Sequence, residues 1–145
     1  MKKWYLTFMA LVLVGAIVGC NNFSYQHPIG IPTVSLSLGN RSLTQDVYTG
    51  NWVLAFTVNA YTLPGSPAGV INAFQLSSGG SLTAGLRVED CAPVTTTDCG
   101  PFAVDYNIEF ASLPPAGSYV ITAYTVVGQN GSVYTERLPE PIVIR

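Results

Sequence analysis

Charge is scarce in this sequence. One residue in ten is charged, His27 is the single histidine, and the only lysines are Lys2 and Lys3. Beyond residue 19 no lysine or methionine remains, and four arginines (Arg41, Arg87, Arg137, Arg145) stand against eight carboxylates, a net charge of −4. A chain so short of cations cannot neutralise a run of phosphates, which excludes nucleic acid as a partner. It is equally ill suited to attraction by anionic lipid headgroups. Also missing are a glycine-rich phosphate loop, a histidine/carboxylate metal cluster and a strand–nucleophile–helix elbow. His27 sits next to Pro28 in a Pro/Gly-rich stretch. Nothing in such a stretch holds an imidazole within ~3 Å of a nucleophile. The reading is therefore a non-enzyme with no catalytic residue, no metal and no cofactor.

The long hydrophobic run that does occur is at the start. Lys2-Lys3 is followed by an uncharged, mostly apolar stretch, residues 4–18. As a helix it would cover only ~22 Å, against a hydrocarbon core of ~30 Å. That length suits the h-region of a secretory signal better than a membrane span. An A-x-A-like cleavage site is absent, and Ile17-Val18-Gly19-Cys20 stands in its place, followed by polar Asn21-Asn22. This quartet resembles the lipobox of bacterial lipoproteins. The resemblance implies removal of residues 1–19 as a signal peptide and Cys20 as the first mature residue. It also implies diacylglyceryl attachment at the Cys20 thiol, with a fatty acid such as palmitate at the new N-terminus. The protein is then expected in the bacterial cell envelope, held to a membrane by lipid with its domain outside the cytoplasm. Two or three acyl chains hold firmly where one holds marginally, at ~0.8 kcal/mol per buried CH₂. The alternative is an uncleaved short anchor with an incidental cysteine.

Three cysteines is an odd count for an exported chain. Assigning Cys20 to lipid leaves Cys91 and Cys99, bracketing "CAPVTTTDC", as an even pair in a compartment that permits disulfides. Two free thiols or metal ligands are the rival reading, but a zinc ion wants four ligands and no histidine is near.

Residues 20–32, with two prolines and a glycine and no period, read as a lipidated cysteine and a flexible tether. Residues 33–145 read as one domain with a hydrophobic period of two, not 3.6. Val34, Leu36 and Leu38 alternate with Ser and Thr, Leu54, Phe56 and Val58 alternate with Val53, Ala55, Thr57 and Asn59, and Phe102 to Phe110 puts an apolar residue at every second position. Shorter strands at 71–76 and 82–88 flank the turn signal "SSGG". "GQNGS" after the long strand 119–127 carries an Asn-Gly hairpin signal. Pro139 and Pro141 interrupt the last strand, as suits an edge. About seven strands with frequent turns predict an all-β sandwich.

The stretch "LPPAGSYVITAYT", 113–125, resembles the loop-to-strand corner of fibronectin type III and related immunoglobulin-like domains. That resemblance implies Leu113 packed under the corner, Gly117 at the turn, and Tyr119 as a corner tyrosine bonding back to the backbone. Trp52 would be the core tryptophan. A jelly roll or another sandwich also fits the strand pattern. On the corner assignment Tyr119, Ile121 and Ala123 point inward, whereas Val120, Tyr124 and Val126 point outward, making Tyr124 and Val126 a candidate interface. Asp90, Thr95, Thr96, Thr97 and Asp98 crowd the presumed stapled loop, the first candidate for a binding surface. Asp105 and Glu109 share a strand face but stand ~13 Å apart, too far for a glycosidase pair at ~5–9.5 Å. The expected function is a binding or scaffolding module for an envelope protein or surface ligand. The alternatives are a carboxylate-dependent glycan hydrolase accessory and a purely structural spacer.

Overall fold

The computed structural model describes residues 27–145; Cys20, the segment 1–19 and residues 21–26 lie outside the described residues. Seven strands follow in chain order: β1 (Val34–Gln45), β2 (Trp52–Thr62), β3 (Gly69–Leu76), β4 (Ser81–Val88), β5 (Cys99–Phe110), β6 (Val120–Gly128) and β7 (Val133–Val143). No helix occurs among the described residues. Every pairing is antiparallel. One sheet has the order β1-β2-β5 and the other β4-β3-β6-β7.

The period of two builds the core. On β2, Leu54, Phe56, Val58 and Ala60 are buried, and the residues between them are half-buried. On β5, Phe102, Val104, Tyr106, Ile108 and Phe110 pack against the same core while Asp105, Asn107 and Glu109 face solvent. From the other sheet come Ile71, Phe74 and Leu76 of β3, Leu82 and Val88 of β4, and Ile121, Tyr124 and Val126 of β6. Each such side chain removed from water contributes about 1.5–3 kcal/mol. The two sheets therefore share one core, in a sandwich-like arrangement.

Strand β6 corrects the sequence reading. Ile121 points inward as expected, but Tyr124 is 1 % exposed and Val126 0 % exposed. The cause is a one-residue irregularity. Opposite β3, Leu76 pairs with Ile121 and Gln75 with Ala123, so Thr122 is an extra residue in β6. An extra residue reverses the inside/outside phase of everything after it. Tyr124 and Val126 are thus core residues and form no outer interface. The Tyr124 hydroxyl donates to the carbonyl of Val34 at 3.4 Å.

The corner before β6 also differs. Leu113 is exposed and Pro114 takes the buried position. Gly117 does adopt a left-handed conformation, φ 77°, as a turn there requires. The Tyr119 ring rests edge-on against Phe56 and Phe110. It is the Tyr119 carbonyl that ties the corner, accepting from Ile144 N at 2.8 Å and Arg145 N at 3.3 Å. Trp52 is half-buried at the start of β2, outside the core cluster.

The antiparallel order sorts the connections into two ends. Connections 63–68, 89–98 and 129–132 lie at one end with the incoming segment 27–33, and connections 46–51, 77–80 and 111–119 lie at the other. Residues 27–32, expected to be free tether, are docked at the first end. Ile31 and Pro32 are buried. Thr33 N donates to Ser66 Oγ at 2.8 Å, and Ile31 N donates to Pro28 O at 3.4 Å. His27 Nε2 lies 3.0 Å from Ile31 O, its Nδ1 lies 3.8 Å from Glu136 Oε2, and its ring meets Tyr134 edge-on. Glycines make the docking fit. A Cβ on Gly69 would stand 2.5 Å from Pro32 Cγ and 2.6 Å from Val127 O, and one on Gly128 would strike Gly30 O. Gly69→Ala is expected to cost about 1–3 kcal/mol, as overpacking does. Urea unfolding with amide-exchange readout at Ile31 checks it.

Candidate functional site

The stapled loop is built as the spacing of its cysteines suggested. Cys91 and Cys99 form a disulfide with Cα atoms 5.6 Å apart. Cys91 is buried, its N–H donates to Ser66 O at 2.9 Å, and its carbonyl accepts from Gly65 N at 2.8 Å. These bonds sew the loop to connection 63–68. Within the loop Thr95 turns inward: its Oγ1 donates to Ala92 O at 2.6 Å and lies 3.3 Å from Cys91 Sγ. Asp98 accepts from Ser35 Oγ at 3.4 Å, a long bond on an exposed side chain. Asp90, Thr96, Thr97 and Asp98 are exposed, and Val94 protrudes at the tip. Of the five candidate side chains, four face solvent and Thr95 serves the loop's own shape. Among the described residues no three His, Cys, Asp or Glu side chains group in a way that could hold a metal ion.

The carboxylates are dispersed. Asp105 and Glu109 stand on the exposed face of β5, and Asp105 Oδ1 accepts from Thr57 Oγ1 at 2.6 Å. Glu89 and Asp90 follow β4, just before the stapled loop, at the end where residues 27–33 dock.

Sequence reasoning missed a second protrusion, the β1–β2 turn 46–51 at the opposite end. Val47 is 88 % exposed and Tyr48 95 % exposed, side by side. Their backbone is fixed. Asp46 Oδ1 accepts from Tyr48 N at 2.7 Å and Thr49 N at 3.1 Å, Gly50 N donates to Asp46 O at 2.8 Å, and Asp46 N donates to Asn51 O at 2.8 Å. Gln45 Nε2 donates to Gly50 O at 3.0 Å, and Gly50 supplies φ 73°. The signal was present as "DVYTGN", an Asx turn with a glycine near its end.

Two half-buried phenols are perturbed. Removal from water pushes Tyr106 up to about 12, helped by Tyr119 nearby, and burial raises Tyr119 as well. The Tyr106 hydroxyl donates to Thr83 O at 2.9 Å, a bond only the neutral phenol makes. A pKa raised above the ordinary 10 means that the neutral form's contribution is complete below that pH and is lost as pH rises through about 12. Absorbance titration of phenolate should show a late step that Tyr106→Phe removes.

Comparison with known proteins adds little. No family model matches the chain, and no curated protein matches it. A crystal structure described as Northeast Structural Genomics Consortium target SoR45 aligns with a TM-score of 0.36 at 12 % identity, covering 82 % of this chain and 88 % of that one. A likeness of that size carries no argument about this protein, whose reading rests on its own residues.

Proposed function

We propose that the chain is a lipid-anchored bacterial envelope lipoprotein. Its immunoglobulin-like, fibronectin-type-III-like sandwich binds or scaffolds an envelope protein or surface ligand. Three features support this reading. The lipobox quartet 17–20 gives the anchor. The first, second and fifth strands face a sheet of the fourth, third, sixth and seventh, the strand sets of a fibronectin type III sandwich. The observation that carries the functional half is the pair of pre-ordered protrusions at opposite ends of the sandwich. One is the disulfide-closed loop, the other the hydrogen-bonded turn presenting Val47 and Tyr48. Loops already fixed before contact lose little conformational entropy on binding, and exposed tyrosine is a favoured anchor of protein interfaces.

The test compares three proteins in pull-downs from detergent-solubilised envelope: wild type, Val47→Ser/Tyr48→Ser, and a chain with residues 92–98 scrambled. A binding module recovers a specific partner with wild type and loses it with at least one variant. Identical recovery from all three, or no partner under several conditions, favours a structural spacer.

A further inference from the structure

Resting on the lipid-anchor reading, we propose that the end carrying the stapled loop is a membrane-contact surface. It lies on a neutral, zwitterionic lipid interface and leaves the Val47–Tyr48 turn facing away. Three observations carry this. First, the docked segment shortens the tether. Because His27 is already held by Ile31, Tyr134 and Glu136, only residues 21–26 separate it from Cys20. Seven Cα steps span at most about 25 Å, whereas β2 alone runs about 36 Å along the sandwich. The loop end is thus the end kept near the lipid. Second, that end carries exposed aliphatic side chains from three separate segments, Ile29, Val94 and Val133. Singly they are too weak to hold a soluble protein at a bilayer. Tethering supplies an effective concentration in the millimolar range for a short flexible linker, so a marginal contact suffices. Third, the same end bears Glu89, Asp90 and Asp98, with Arg87 close by in β4. That balance disfavours anionic headgroups and selects a neutral surface. Of the two protrusions, the Val47–Tyr48 turn is then the one left for the envelope protein or surface ligand.

Fluorescence quenching reads this directly. Once residues 1–19 are removed, Trp52 is the sole tryptophan, and it lies at the far end of β2. The lipidated protein, extracted from membranes, is reconstituted in phosphatidylcholine vesicles containing a headgroup-nitroxide lipid. Two variants carry Val94→Trp or Ile29→Trp with Trp52→Phe. The expected result is quenching at positions 94 and 29 several-fold greater than that of native Trp52, weakening when phosphatidylglycerol is added at low salt. Equal quenching at both ends, quenching of Trp52 alone, or none anywhere overturns the proposal. Stronger quenching with phosphatidylglycerol overturns the assignment to a neutral surface. A parallel sample, the mature chain coupled through its Cys20 thiol to a maleimide lipid, separates the two readings. It shows the same pattern if the contact is right even where the cell attaches no lipid, and no preference for position 94 if the contact is wrong.

Discussion

Tyr124→Ala should lower the unfolding free energy by about 3–5 kcal/mol, the range for truncating a fully buried large aromatic. The side chain is 1 % exposed, and its ring belongs to the cluster formed by Phe74 and Val126 with Leu54, Phe56 and Val58 of the facing sheet. Tyr124→Phe separates the hydroxyl from the ring. It removes the donation to Val34 O and should cost about 0.5–1.5 kcal/mol. The pair of variants decides the phase of β6. Were Tyr124 on the outer face, as strict alternation from Tyr119 predicts, the alanine variant would change stability by no more than about 0.5 kcal/mol. Urea denaturation at neutral pH, with the m-value checked for constancy, is the measurement.

The second large effect belongs to the stapled loop. Replacing Cys91 and Cys99 together by alanine should cost about 2.5 kcal/mol from loop closure alone, given the separation of eight residues. A further loss is expected because Cys91 is buried against connection 63–68. The double variant keeps the backbone bonds Gly65 N to residue 91 O and residue 91 N to Ser66 O, but without the disulfide the segment that makes them is no longer tied to β5. Amide exchange should therefore quicken at Gly65 and at position 91 well before it does at the β2–β5 ladder. Equal stability with and without reductant for the wild type would mean that the bond does not restrain the fold.

How far the sequence could be read depended on whether each feature was local. The alternation of Leu54 to Ala60 and of Phe102 to Phe110 is written directly into side-chain chemistry, and both strands face the way it says. The "SSGG" turn and the Asn-Gly hairpin between β6 and β7 are equally local, as is the Cys91–Cys99 pair. The phase of β6 is not. Thr122 is an ordinary strand former, and nothing in its identity marks it as the extra residue. Only its pairing with β3 does so. Leu113 and Pro114 exchange roles for a similar reason, since either fits an apolar slot and the path of the backbone selects one. The docking of residues 27–32 was invisible because Ile31 and Pro32 are two isolated apolar residues without a period. Their partners, Gly128 beside Ile31 and Gly69 beside Pro32, lie in strands far along the chain. The Val47–Tyr48 protrusion was missed because exposure cannot be read from residue type.

Whether a fatty-acylated Cys20 keeps this β domain at the membrane is read by intact-mass analysis of the membrane-extracted protein. The predicted mass is that of residues 20–145 plus a diacylglyceryl group and an N-terminal acyl chain, less two hydrogens for the Cys91–Cys99 bond. A full-length mass beginning at Met1 with no added lipid would contradict it, and with it the membrane-facing assignment of the stapled loop in the cell.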